Sequence, residues 1–337
     1  MSHTYRKAKP LTFRHFAGHA TGRGKDGMNA RWSRMPWVLM VAMVGLLMGG
    51  SHLSGPVPIF AVGTSQIYVT EDTQILRVND MTGAGRITLG TGGSGVKQFS
   101  GPSGIFVDGT NRIYMADYGN HRIVRMNDIT GVGWTTLGTR GGGANQLNAP
   151  VGVFVDGAGR IYVADSGNYR VTRVNDMTGA GWTTLGGGGT AIYQFGSPVW
   201  VFVDGKGRIY VADSGNSRIV RMNNMTGGGW TTLGSLGSGT KQFRSPAGMF
   251  VDTSGRIYVA DQGNSRIVRM NDMTGAGWTT LGGTGAHRFN VPVGIYVDTA
   301  DRIYVADFSR IVRVNDMTGA GWTTFNTPGI TRAVFVR

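Results

Sequence analysis

The chain of 337 residues contains no cysteine and a single glutamate, Glu71. The lack of cysteine excludes disulfide bonds and thiolate chemistry. Histidine is scarce as well, because four of the six histidines precede residue 53 and only His121 and His287 follow it. Zinc ligation and general-base catalysis therefore have few candidate residues in this sequence.

Two further patterns of enzyme sites are missing. No serine stands in the strand-turn-helix context of a hydrolase nucleophile, and glycine runs such as residues 141–143 have no helix behind them that would bind phosphate. No stretch of the repeated region shows a 3.6-residue hydrophobic period, and its glycine and β-branched residues disfavour helix. These absences predict an all-β protein.

The hydrophobic run at the N-terminus is too short to span a bilayer. Residues 37–48 are twelve apolar residues, or fourteen with Gly49 and Gly50, whereas a span needs about 20. Residues 1–34 hold eight Lys or Arg against Asp26 alone. We interpret 1–34 as a disordered basic region and 35–55 as a signal segment, which predicts a periplasmic or extracellular protein. Met28 could be the true start, and cleavage is expected after Ser51 or Gly63. The alternative is a membrane anchor at residues 37–50 with the rest of the chain outside.

The rest of the chain repeats one strand motif six times. Arg160–Asp165 reads Arg-Ile-Tyr-Val-Ala-Asp, and its closing acid recurs at Glu71, Asp117, Asp213, Asp261 and Asp307. The spacings between successive acids are 46, 48, 48, 48 and 46 residues. Such a period is typical of a repeat architecture.

Each repeat predicts a four-stranded antiparallel meander. In the third copy, short alternating strands surround a glycine turn at 157–159, a loop at 165–168 and a polar turn at 175–181. A meander with two apolar faces must stack between neighbours, so six copies predict a six-bladed β-propeller over residues 56–337. The expected repeats are 56–90, 102–138, 150–186, 198–234, 246–282 and 292–326.

The motif also resembles a known family. Pro150 to Asp156, then Gly159 to Asp165, then Gly167-Asn168-x-Arg170 is similar to the NHL repeat, and the resemblance extends over about residues 56–326. It implies a propeller fold. Members serve many purposes, so the resemblance does not imply one activity.

Two segments compete for the inner strand of the first blade. Pro56–Val62 aligns with the start of a repeat, and Ala333–Arg337 matches the same strand at the other end of the chain. We favour the C-terminal segment, within 330–337, because it would close the ring and cover an open edge.

The formal charge of +14 divides equally, with +7 in residues 1–34 and +7 in the remainder. Within the repeats, Asp156, Asp165 and Asp176 recur beside Arg160, Arg170 and Arg173. We interpret this as structural pairing of arginine with carboxylate. A calcium site built from these aspartates is the alternative, and no other cofactor is expected.

The excess of basic residues predicts one basic face. Five of them lie on the glycine-rich connections between blades: Lys97, Arg140, Lys241, Arg244 and Arg288. These connections should share a face with the loops that follow the repeated Ala-Asp strand end. The interpretations are a solvated surface or a site for an acidic partner.

Aromatic departures from the repeat mark further candidate binding residues. Trp200 replaces an inner-strand glycine and should lie near the axial channel, while Tyr118, Tyr169, Tyr193 and Phe308 replace small or polar loop residues on the expected basic face. Aromatic side chains beside arginine are typical of binding surfaces.

These observations favour an exported, non-enzymatic and monomeric propeller that binds a protein or a glycan through one loop face. The alternative is a divergent lyase or hydrolase, similar to streptogramin lyases or lactonases, with its site at the central channel. Binding of RNA or another polyanion is a third hypothesis, which the export signal disfavours. Membrane contact is expected only through the N-terminal segment.

Overall fold

The computed structural model describes residues 66–283, 285 and 287–337. The predicted segments at 1–34, 35–55 and 56–62 lie outside the described residues. Those described form an all-β six-bladed propeller, as the repeats predict, and each blade is a four-stranded antiparallel sheet. In the described part of the chain, no helix is both long and apolar enough to cross a membrane.

Each blade runs from an inner strand at the axis to an outer strand at the edge. Blade one consists of Thr331–Val336, Ile67–Glu71, Gln74–Val78 and Ile87–Leu89; blade two of Pro102–Val107, Ile113–Asp117, Arg122–Met126 and Thr135–Leu137; blade three of Pro150–Val155, Ile161–Asp165, Arg170–Val174 and Thr183–Gly186. Blade four consists of Pro198–Val203, Ile209–Asp213, Arg218–Met222 and Thr231–Leu233; blade five of Pro246–Val251, Ile257–Asp261, Arg266–Met270 and Thr279–Gly282; blade six of Pro292–Val297, Ile303–Asp307, Arg310–Val314 and Thr323–Asn326.

Short elements decorate the loops. Single 3-10 turns follow the second strand in blades two to five, at Tyr118–Asn120, Ser166–Asn168, Ser214–Asn216 and Gln262–Asn264. Two connections between blades fold back on themselves as parallel pairs, Thr91–Gly92 with Gln98–Phe99 and Thr139–Arg140 with Gln146–Leu147.

The second strand is the most buried element of every blade. Ile161–Asp165 is buried at all five positions because this strand lies in the middle of its sheet and has a neighbouring blade on each side. Alternate residues therefore enter different interfaces: Ile161 and Val163 pack towards blade two, and Tyr162 and Ala164 towards blade four. This two-sided burial is the physical reason that a single blade could not be stable alone.

The C-terminal strand completes the first blade. Thr331–Val336 pairs antiparallel with Ile67–Glu71, so the sheet order starts with the last strand of the chain. Gln66 and Arg337 extend the pairing through two backbone hydrogen bonds of 2.7 and 2.9 Å. Of the two candidate segments, the one at the C-terminus occupies the inner position.

The propeller has two distinct faces. The loop face carries the loops between second and third strands together with the connections between blades. The hairpin face carries the turns between first and second strands, such as Asp204–Arg208, and the paired ends Gln66 and Arg337. Inner strands run from the loop face to the hairpin face, since Pro198 pairs with Asp213 and Val203 with Ile209.

Candidate functional site

The closing acid of each repeat is the centre of a hydrogen-bonded cluster that we term the carboxylate node. In blade three, Asp165 is fully buried, and its Oδ1 accepts a bond from the backbone N–H of Asn148 at 2.7 Å. Its Oδ2 accepts bonds from Asn168 Nδ2 at 2.8 Å and from Arg170 Nε at 2.7 Å. The Gly-Asn-x-Arg spacing of the repeat places the side chains of Asn168 and Arg170 against the same carboxylate.

The arginine of the node then ties the loop to the preceding connection. Arg170 Nη1 donates to the carbonyl of Gly142 at 2.7 Å, and Nη2 donates to that of Gln146 at 2.9 Å. Equivalent ion pairs occur at Asp117–Arg122, Asp213–Arg218, Asp261–Arg266 and Asp307–Arg310. Both oxygens of Asp165 are occupied by N–H donors, so this carboxylate is poorly suited to bind Ca²⁺. Within the described residues, no three His, Asp or Glu side chains form a group that could hold a metal.

The other aspartates of blade three serve two different local purposes. Asp156 pairs with Arg160 Nε at 2.7 Å in the first hairpin turn. Asp176 instead accepts bonds from the backbone N–H and hydroxyl of Thr178, which closes the turn before the outer strand. Structural pairing therefore holds for two of the three repeated positions, and the third stabilises a turn.

Blade one departs from this pattern. Glu71 replaces the aspartate, and Gln74 stands where the other blades have arginine. Glu71 is fully buried; its Oε2 accepts a bond from Gln74 at 3.0 Å, whereas its Oε1 has no hydrogen-bond partner among the residues that the structure describes. Burial raises the pKa of Glu71 above its ordinary value, and the Gln74 hydrogen bond and the charge of Arg86 oppose this effect.

The five predicted basic residues are all exposed on the connections, although they do not form one cluster. Lys97 and Lys241 lie along the edges of blades two and five, where their aliphatic stems cover Gly131 and Gly275. The stem of Arg244 packs beside Gly263 at a carboxylate node. Arg140 and Arg288 lie on connections held by the node arginines, and the Arg288 carbonyl accepts a bond from Arg310 at 2.7 Å.

The predicted loop aromatics divide into two groups. Tyr118, Tyr169 and Phe308 are 46%, 46% and 43% exposed on the loop face. Tyr193 occupies the same repeat position as Lys97 and Lys241, and its ring packs edge-on against Trp230 at 5.5 Å. Tyr193 is therefore part of the blade edge.

Other exposed apolar residues extend the same surface. Val96, Ile192 and Leu236 lie on three different connections and are 64–67% exposed. A groove of about 810 Å³ lies beside Val96, between the outer part of blade two and the Asp176–Thr178 turn of blade three. Trp134 and Arg125 line it. The loop face and the blade edges beside it thus combine exposed apolar groups with arginine and lysine.

Trp200 crosses the axial channel. It stands where the other inner strands have Gly104, Gly152, Gly248, Gly294 or Ala333, and it is only 9% exposed. Trp200 belongs to a hydrophobic cluster that contains both the interface of blades four and five and the interface of blades one and two. Each of the other four interfaces between blades forms a hydrophobic cluster of its own. These two interfaces lie on opposite sides of a six-membered ring, so the indole fills the channel between them.

Two positions after Trp200, the inner strands form an aromatic collar around the axis. Each blade contributes one ring: Phe106, Phe154, Phe202, Phe250, Tyr296 and Phe335. Neighbouring centroids are 4.8–5.3 Å apart, and the contacts close into a complete circle. Neighbouring planes differ by 51–66°. This is close to the blade-to-blade rotation of a six-membered ring.

On the hairpin face, the channel widens into a mouth of about 720 Å³. Phe202, Phe250 and Tyr296 form its floor, and the first hairpin turns of blades four, five and six form its walls. The mouth carries charged residues, among them Lys206 and Asp301.

Both histidines of the propeller have structural partners. His121 Nδ1 accepts a bond from the backbone N–H of Ala149 at 3.0 Å. Burial and the charge of Arg140 lower the pKa of His121, which Asp165 opposes, and the neutral ring suits an acceptor. His287 stacks on Trp322 with centroids 5.0 Å apart. The two rings lie in different loops.

Sequence reasoning missed the collar, the channel mouth and Lys206. The collar has a visible signal, because every repeat has an aromatic residue two positions after the inner-strand position that is glycine in four blades, as in Gly152 and Phe154. The mouth has no such signal, since its walls are ordinary turns that become a concave surface only in the closed ring.

Comparison with known proteins agrees with this architecture. The NHL repeat model matches residues 99–126, 147–173 and 243–270, which lie in blades two, three and five. Comparison with curated protein sequences gives no match.

Similar solved structures include three propellers. A chain in a nidogen/laminin complex is 17% identical, with coverage of 81% of this chain and 98% of that chain and a TM-score of 0.65. A streptogramin B lyase is 14% identical, with coverages of 78% and 74% and a TM-score of 0.51. An inactive variant of virginiamycin B lyase from Staphylococcus aureus with quinupristin is 12% identical, with coverages of 80% and 87% and a TM-score of 0.53. At these identities the likeness establishes the fold alone.

Proposed function

We propose that this six-bladed β-propeller, three blades of which match the NHL repeat model, is a non-enzymatic binding protein that recognises a protein partner through its loop face. The observation that carries the proposal is the set of large aromatic and aliphatic side chains that are exposed to solvent on the loop face. Tyr118, Tyr169 and Phe308 come from three different blades and are 43–46% exposed, and connection residues such as Val96 add to them. Exposed aromatic groups of this kind are typical anchors of protein interfaces.

The basic residues around these anchors define the partner more closely. Arg140 and Arg244 are exposed on the same face, so a complementary surface would carry acidic residues. Their role would be to steer association and to set orientation, while the aromatic anchors supply most of the affinity. The nidogen/laminin complex supports the proposal as an example of a similar propeller in a protein complex.

The arrangement of titratable groups supports a role without catalysis. The buried aspartates of the nodes are occupied by N–H donors from their own loops, and His121 and His287 are engaged in packing and hydrogen bonding. A lyase would need a base that is free to reach a substrate. We also propose that the protein acts outside the cytoplasm, on the ground of the basic and hydrophobic N-terminal segments.

The repeat itself supplies the variants that test the loop face. Tyr118 corresponds to Ser166 and Ser214 in other blades, and Tyr169 corresponds to Ser217 and Ser265. The double variant Tyr118→Ser/Tyr169→Ser should therefore fold normally while losing two anchors. In affinity capture from the extracytoplasmic fraction, partners held by the parent protein should bind the double variant at least about tenfold more weakly.

The matched control is Lys206→Met, which changes the hairpin face and should leave capture unchanged. Equal recovery by parent and double variant would contradict the proposal. A complex that depends steeply on salt and is displaced by heparin would instead indicate polyanion binding.

A further inference from the structure

The aromatic collar surrounds an open apolar cavity. The cavity has a volume of about 240 Å³ and is lined by the six collar rings, Trp200, and aliphatic residues such as Val201 and Met249. The lining contains no charged side chain. Since apolar cavities stay dry and take up apolar guests of matching size, this volume suits a flat aromatic group.

The cavity opens in one direction. Trp200 lies two residues before Phe202 on a strand that runs from the loop face to the hairpin face, so the indole closes the cavity on the loop-face side. Phe202, Phe250 and Tyr296 line both the cavity and the mouth on the hairpin face. A guest would therefore enter between the hairpin turns of blades four to six.

The charged groups of the mouth differ in whether they have an ion-pair partner. Asp204 accepts hydrogen bonds from the backbone N–H groups of Lys206 and Arg208 and from Arg208 Nε. Both of its carboxylate oxygens therefore have partners within its own turn. Asp252 and Asp298 are held in the same way by Arg256 and Arg302. Arg256 also pairs with Asp301 at 2.8 Å.

Lys206 is different from these paired charges. Among the described residues that line the mouth, it is the charged side chain without an ion pair, and it is exposed. The hydroxyl groups of Ser254 and Thr299 are exposed on the neighbouring turns. An exposed ammonium group is suited to bind an anionic head group, and hydroxyl groups in the same mouth can also donate hydrogen bonds to such a group.

We propose that the hairpin-face mouth and the cavity behind it form one binding site for a small aromatic carboxylate. The aromatic body would lie within the collar against Trp200, and the carboxylate would accept hydrogen bonds from Lys206. An apolar pocket with a few convergent polar groups is the usual form of a small-molecule site. This site lies on the face opposite the proposed protein interface and is independent of it.

Calorimetry with 2-naphthoate tests the proposal on the whole protein. We expect saturable binding of one naphthoate per chain, about tenfold tighter than binding of the neutral isostere 2-naphthylmethanol. Lys206→Met keeps the apolar stem and removes the charge, so it should abolish the difference between the two compounds. Lys241→Met changes a lysine at the outer edge of blade five, away from the mouth, and should leave both affinities as in the parent.

Three results would overturn the proposal: no saturable binding of either compound, equal affinities for both in the parent, or an unchanged preference in Lys206→Met. Crystals soaked with 6-bromo-2-naphthoate locate the ligand directly. The anomalous peak of bromine should lie inside the aromatic collar, and a peak elsewhere would contradict the assigned site.

Discussion

Aspartates with arginine partners occur in two environments in every complete repeat. Asp165 in the node has no exposed surface, and its partner Arg170 is only 13% exposed. Asp156 in the hairpin turn pairs with Arg160, which is 41% exposed. Removing the partner of a buried carboxylate leaves a charge without compensation, whereas solvent screens an exposed pair.

We therefore expect Arg170→Gln to lower the free energy of unfolding by about 3 kcal/mol and Arg160→Gln by less than about 1 kcal/mol. Urea denaturation of both variants measures the difference. Similar losses in the two variants would show that the node is no more important than a surface pair.

Within the described part of the chain, Glu71 is the residue whose buried carboxylate has one oxygen without a hydrogen-bond partner. Burial raises the pKa of Glu71 in the folded protein above the ordinary 4.5, so the folded state binds this proton more tightly than the unfolded state does. The stabilisation by the protonated carboxyl is therefore complete below pH 4.5 and is lost as pH rises through the folded pKa. Glu71→Gln should therefore be more stable than the parent at pH 7, by about 1 kcal/mol, and should lose this advantage near pH 4.

The single glutamate makes the titration directly visible. With ¹³C-labelled glutamate, one side-chain carboxyl resonance reports Glu71 in the NMR spectrum. Its midpoint should lie above 4.5. A midpoint at or below that value would contradict the account of burial.

Among the elements, the inner strands of neighbouring blades approach so closely that some of their positions leave no space for a side chain. A Cβ atom on Gly152 would lie 2.9 Å from Trp200 Cα and 3.0 Å from the Val199 carbonyl oxygen. Both are backbone atoms of the next blade, so the strands themselves would have to move.

Gly152→Ala should accordingly destabilise the protein by about 1–3 kcal/mol in thermal or urea unfolding. Gly157→Ala is the control, because a Cβ atom there would meet nothing within 4 Å. It should be neutral or slightly stabilising. If both variants behave alike, close packing of inner strands does not explain the glycine at position 152.

The strands and their number could be predicted from the sequence, because alternation and turn residues report local structure. Alternation assigned Phe154 to an apolar strand, yet it could not show that six such rings meet, since five of their contacts join residues 39 to 48 positions apart and the sixth, which closes the circle, joins residues 229 positions apart. The contact between Tyr193, which is itself half-exposed, and the edge of its blade was not predicted, for a related reason. Its partner Trp230 lies in the outer part of the same blade, which local pattern does not reveal.

At the scale of the whole molecule, one strand holds the ring closed. Thr331–Val336 pairs with Ile67–Glu71 and packs beside the inner strands of blades six and two. Its removal would expose the second strand of blade one and open the collar at Phe335.

A chain that ends at residue 330 should therefore unfold at a temperature at least 10 °C lower, or associate through the exposed edge, as a loss of several kcal/mol implies. Calorimetry and size-exclusion chromatography with light scattering distinguish these outcomes. A monomer as stable as the parent would contradict the closure by this strand.

The location of the closing strand also constrains biosynthesis. A ribosome makes the partner strand Ile67–Glu71 long before Thr331–Val336 emerges from its exit tunnel, and translation of the intervening residues takes on the order of 15–50 s. During that interval the edge of Ile67–Glu71 that will pair with the C-terminal strand has no partner. Factors that shield β-edges during translation should therefore affect its yield more than its final stability.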